Sequence, residues 1–162
     1  MPIIDTSCLI YFIRIKKLSL LKSLFSEISI TQEVLKEIES GVKGISEIKE
    51  KLNDWIFIEK QENKQAIFEL SKEENIEYTD ASLILLAKKK KDILVSNDSA
   101  LIKIARIKGV ECWWLTRCII EALRRKIIQK KEAKEILLSL VENGMYLDNK
   151  VYASLLSEID KL

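Results

Sequence analysis

A chain of 162 residues, 48% hydrophobic and 32% charged with one proline and four glycines, has room for one domain with its own core and little for linkers. Its formal charge of +2 excludes a strongly basic nucleic-acid binder on bulk charge and leaves only local patches to consider. Histidine is absent, which removes Ser-His-Asp and Cys-His catalysis, His-ligated zinc and a histidine general base, so any hydrolysis must rest on carboxylates.

In chain order, an apolar run at Pro2–Asp5 reads as a strand, followed by helical periods at Leu9–Ile15 and Leu18–Phe25. A second strand, Ile28–Ile30, leads to helices Gln32–Glu39 and Ile45–Leu52; a third, Trp55–Ile58, leads to Lys64–Lys72 and Asp80–Lys90. Strand Ile93–Ser96, helix Ser99–Ile107 and strand Val110–Leu115 complete the alternation. Strands separated by helices require βαβ crossovers, so the fold class is α/β with a parallel sheet of five strands covered on both faces. From Thr116 onward only helices follow, at 117–126, 130–142 and 149–160, with Gly144 as C-cap and Asp148 as N-cap of the last turn. Val151, Leu155, Leu156 and Ile159 form an apolar stripe on the final helix, covered either by the domain's own core or by a second chain.

Cys8, Cys112 and Cys118 show no CxxC spacing, so neither a disulfide framework nor a zinc knuckle is expected, and a reducing cytoplasm suits them. No run approaches the roughly 20 apolar residues of a membrane span, so a soluble cytoplasmic protein is expected.

Two strands stop at an acid: PIIDTSCLI at Asp5 and ILVSNDSAL at Asp98. In an open parallel sheet, ligands bind beyond the carboxyl ends of the strands, so both should face that crevice. Asp80 heads a helix above Ile84 and Ala87, Asp98 stands above Ile102 and Ala105, and Glu37 borders the Val34/Ile38 stripe, while Lys36 and Glu39 are expected to point away. Helix capping accounts equally for Asp80 and Asp98, worth about 0.5–2 kcal/mol each. Asp5 is harder to explain so simply, because a charge ending a buried strand needs a partner or a ligand. Four carboxylates in one crevice repel unless a cation neutralises them, and an oxygen-only set selects Mg²⁺ or Mn²⁺ over zinc. Ser7 and Ser96 could steady a metal-bound water, or simply make turn hydrogen bonds.

The ordered set IIDTSCLI, ITQEVLKEIE, YTDASLILLA and ILVSNDSAL, closed by GVECWWLT, resembles the PIN-domain nucleases from Pro2 to about Thr116. The segment ENGMYLDNKVYASLL is similar to a helical extension of some prokaryotic PIN proteins. The resemblance implies a three-layer α/β/α nuclease core over residues 1–116, with residues 117–162 as a helical extension packed on the same domain. It implies that Asp5, Glu37, Asp80 and Asp98 are the catalytic, metal-binding acids of a Mg²⁺- or Mn²⁺-dependent endoribonuclease acting on single-stranded RNA. Asn97 stands where some relatives carry a further acid. Partners implied are RNA, a second copy in a homodimer and, if the protein is a VapC-type toxin, an antitoxin chain. The longer C-terminal helices depart from the minimal toxin pattern.

Lysines cluster at 88–91, at Lys16–Lys17 and around residues 124–131, either as solvated faces or as phosphate contacts beside the crevice. Trp113 and Trp114 alternate across their strand, so one faces the core. Two rival readings are a phosphomonoesterase with an aspartyl nucleophile and a non-catalytic PIN-like scaffold that binds RNA or protein. The first usually wants a second Asp two residues on, where this chain has Ser7.

Overall fold

Short runs of Ile, Leu and Val become strands here because both faces of each are buried, as in a parallel sheet covered by helices. The computed structural model describes residues 1–41 and 45–162. Its five strands are β1 (Ile3–Ile4), β2 (Ile28–Thr31), β3 (Ile56–Glu59), β4 (Leu94–Ser96) and β5 (Cys112–Trp114), all parallel and ordered β3-β2-β1-β4-β5. The order reverses direction around β1, which marks the edge near Asp5 as the natural ligand crevice.

Ten helices surround the sheet among the described residues: α1 (Thr6–Arg14), α2 (Leu18–Phe25), α3 (Gln32–Gly41), α4 (Ile45–Lys51), α5 (Lys64–Glu74), α6 (Tyr78–Lys90), α7 (Ser99–Ile107), α8 (Leu115–Arg124), α9 (Lys130–Glu142) and α10 (Asn149–Lys161). The result is a three-layer α/β fold, as expected. Helix α6 lies against β1, β2 and β4 while α5 and α3 cover its other sides. That is why Thr79, Ala81, Ser82, Leu83, Ile84, Leu86 and Ala87 are all buried and its apolar surface runs almost all round. On the other flank α2, α8, α9 and α10 pack in succession.

Several boundaries differ from the sequence expectation. Helix α1 starts at Thr6 rather than Leu9, because Asp5, still extended (φ −75°, ψ 153°), is itself its N-cap residue. The polar pair Thr6–Ser7 concealed that first turn from a search for apolar period. Helix α8 starts at Leu115, a fully buried residue that reads as strand by composition alone. The cap at the end of α9 falls on Asn143; Gly144 lies one residue further, at φ +98°. There its N–H bonds Val141 O at 3.1 Å and Met145 N–H bonds Leu140 O at 2.9 Å, a Schellman closure that favours glycine. Asp148 caps α10 as expected, accepting from Lys150 N at 2.7 Å and Val151 N at 3.1 Å. Helix α10 rests on α9 and buries Ile159, while Val151 stays exposed. Among the described residues no helix is long and apolar enough to cross a membrane.

Candidate metal centre

The parallel register aligns the carboxyl ends of the strands. One residue beyond the Ile4–Val95 pair, Asp5 stands level with Ser96, its N–H bonding Val95 O at 3.0 Å. Ser96 is in turn level with Trp114 on β5. Asp5 is buried, with 6% of its surface exposed, and takes no cation among the described residues. Its Oδ2 accepts instead from the hydroxyls of Ser7 and Ser96, each at 2.8 Å. Burial raises its pKa above the usual carboxylate value; the two serines and the Thr6 N–H oppose that rise, and the charge of Glu37 adds to it.

The other three acids arrive from separate helices. Thr31, at the end of β2, accepts from Val34 N at 3.2 Å and so begins α3, the helix that carries Glu37. Glu37 leans over the first turn of α1, where its Oε2 accepts from the Thr6 hydroxyl at 2.7 Å. Asp98 caps α7, its Oδ1 accepting from Ala100 N at 2.9 Å and Leu101 N at 3.1 Å. Its own N–H donates to Ser96 Oγ at 3.0 Å, so Ser96 ties the Asp98 turn to Asp5. Capping and convergence therefore coexist at Asp98. Asp80 sits in the first turn of α6 without capping it. Its pKa is pushed up to about 7, first by burial and then by the negative charges of Asp5, Asp98, Glu37 and Glu77.

That coupling places all four predicted acids in one electrostatic neighbourhood and adds Glu77, which the sequence reading did not single out. Among the described residues, no three Asp, Glu, His or Cys side chains already stand at the spacing of a closed ligand set. The site's donors are carboxylate and hydroxyl oxygens, the chemistry of a hard cation. The cysteines lie elsewhere as ligands go: all three are free and buried, with Cys8 and Cys118 thiols held well above their usual pKa by burial.

Lys36 is exposed, off the apolar face as expected, and lines with Glu37 an open groove of about 380 Å³ that also takes in Lys64, Tyr78 and Thr79. Lysines 88–91 do not flank the crevice, because they end α6 about 15 Å from Asp80, where positive charge complements the helix dipole. Of the remaining clusters, Lys17 pairs with Glu132, Arg124 with Glu121 and Glu158, and Arg125 with Glu121. Glu39 pairs with Lys49 at 3.7 Å. Thr6, which orients Glu37 across a separation of 31 residues, has no local signal that could have marked it.

Comparison with known proteins agrees with this architecture. The fold matches a PilT N-terminus domain protein from the hyperthermophilic archaeon Sulfolobus solfataricus P2 with a TM-score of 0.57 at 19% identity, covering 75% of this chain and 92% of that one. It also matches PAE2754 from Pyrobaculum aerophilum with a TM-score of 0.55 at 13% identity, over 75% of this chain and 94% of that one. At such identities the likeness speaks for the fold alone. No curated protein matches the chain. A family model described as a PIN domain matches residues 1–161, the C-terminal helices included, and the chain therefore belongs to the PIN domain family.

Proposed function

We propose that this protein is a Mg²⁺- or Mn²⁺-dependent endoribonuclease that hydrolyses phosphodiester bonds of single-stranded RNA, with Asp5, Glu37, Asp80 and Asp98 as its metal-binding acids. The observation that carries the reading is that Asp80, pushed up to about 7 first by burial, also feels the negative charges of Asp5, Glu37 and Asp98, which arrive from three other segments. A set like that is tolerated for a purpose, and binding a hard cation is the purpose its donor chemistry fits. When bound, the cation supplies charge neutralisation at the phosphate and acidifies water. The chain's own residues prepare that environment. Ser7 and Ser96 hold the Asp5 carboxylate in one orientation, Thr6 does so for Glu37, and the α7 amides do so for Asp98.

Cleavage of a mixed RNA pool with Mg²⁺ or Mn²⁺ tests this. Activity should vanish with EDTA and fall on the order of 10²-fold or more in Asp5→Asn, whose fold survives. Unaltered cleavage by Asp5→Asn would refute the assignment. A DNA pool run in parallel reports the sugar preference. The open spacing of the acids favours one second reading, a non-catalytic scaffold; calorimetric titration with Mn²⁺ separates the two, since a scaffold need not hold the cation.

Two finer proposals accompany this one. Exposed Leu138, Val141 and Val151 on the C-terminal helices support a homodimer. A toxin role, with a separate antitoxin chain, rests on family likeness and predicts growth arrest on expression that Asp5→Asn relieves.

A further inference from the structure

The groove beside Glu37 holds what a nucleotide needs and the acid cluster lacks. Lys36 and Lys64 are exposed on its walls, and among the described residues neither enters an ion pair. Two unengaged ammonium groups beside a cluster of carboxylates are placed to receive phosphate. Tyr78, packed partly against the core, brings a fixed aromatic ring to the same groove. Glu33, also on its wall, has a carboxylate oxygen shielded from water with no hydrogen-bond partner. An acceptor left so is costly, and a donor brought by a ligand would offset that cost once the soft terminal torsion turns the carboxylate outward.

The groove joins the acids directly, through Glu37 itself and through Thr79, which precedes Asp80 on α6. At about 380 Å³ it stands at the small end of ligand pockets, which run from about 300 to 1,000 Å³. We propose that it is a nucleotide subsite for the RNA strand next to the scissile phosphate. Lys36 and Lys64 bind the backbone phosphate, Tyr78 stacks the base, and Glu33 accepts hydrogen bonds from the base edge. Guanine presents two adjacent donors on its Watson–Crick edge, whereas uracil presents one between two acceptors, so a carboxylate here favours guanine over uracil. This inference rests on the ribonuclease reading and extends it to substrate placement.

The test is fluorescence anisotropy with short single-stranded RNAs that differ by one G or U, in Mg²⁺, using Asp5→Asn protein so that the strand stays intact. Replacing Lys36 and Lys64 by Ala should lower the slope of log affinity against log salt by about 0.7 per lysine. Lys88→Ala with Lys89→Ala, at the far end of α6, should leave the slope unchanged. Tyr78→Leu should weaken binding about tenfold or more. Glu33→Gln should erase a guanine preference that the Asp5→Asn parent shows. Equal slope losses from both lysine pairs, no effect of Tyr78→Leu, no guanine preference in the parent, or no RNA binding at all would each overturn the subsite. Wild-type cleavage is scored separately: RNA cut without any groove effect sinks the subsite alone, while groove-dependent binding without cutting sinks the nuclease reading alone.

Discussion

Replacing Asp80 by Asn removes the most crowded charge of the site while nearly preserving its shape. Its carboxyl titrates at about 7 in the folded protein against 3.8 ordinarily, with burial as the main cause and four neighbouring acids adding to it. Because the folded value is the higher one, the wild type holds this stability in full below pH 3.8 and loses it as pH rises through about 7. The unscreened difference is about 4 kcal/mol, from about 1.36 kcal/mol per tenfold change in proton affinity. Asp80 is only half-buried, and solvent screening reduces the figure to about 1–2 kcal/mol. Asp80→Asn should therefore stabilise the metal-free protein by about that much at pH 8, or about 2–8 °C in melting temperature for a chain of this size, and by little at pH 4. Mg²⁺ or Mn²⁺ should then stabilise the wild type by mass action and the variant much less. Thermal melts in EDTA at pH 4 and pH 8, repeated with the cation, measure all of this. A variant that melts no higher than wild type at pH 8, or gains equally at both pH values, would refute the crowded-acid account.

Ser96→Ala should cost about 1–3 kcal/mol in urea melts, because it leaves buried Asp5 one donor short and the Asp98 N–H without its acceptor. It should also weaken cation binding about 10- to 100-fold; a stability change with unaltered Mn²⁺ affinity would make Ser96 purely structural. Capping and site roles of Asp98 separate by chemistry: Asp98→Asn keeps a good cap and should fold normally yet cut poorly, whereas Asp98→Ala should lose about 1 kcal/mol as well as activity. Light scattering at micromolar concentration should give the mass of two chains, and Leu138→Lys with Val151→Lys should return the monomer.

Much of this molecule can be read from local pattern. Buried strands announce themselves as unbroken apolar runs between polar breaks, and helices such as α7 as a 3.6-residue stripe under a capping Asp. Total absence of histidine narrowed the chemistry before any contact was known. Asp5 stood out because a charge at the end of a buried strand demands an explanation, and the fold supplies two hydroxyl donors, Ser7 on α1 and Ser96 on β4, rather than a basic side chain.

Contacts between distant segments were decided by packing alone. Thr6 meets Glu37 because α1 lies against α3, and Ser96 reaches Asp5 because β4 pairs with β1; neither relation leaves a trace in residue spacing. Lys36 shows the same limit in reverse. Helical period puts it off the apolar face, but only the arrival of α5 and α6 turns that side of α3 into the wall of a groove. Local sequence determines which residues are apolar, which cap and which turn, since those follow from side-chain chemistry and backbone geometry within a few residues. Which carboxylates share a field, and which lysine faces them, depends on distances set by the whole sheet order, and these exist only once the chain has folded.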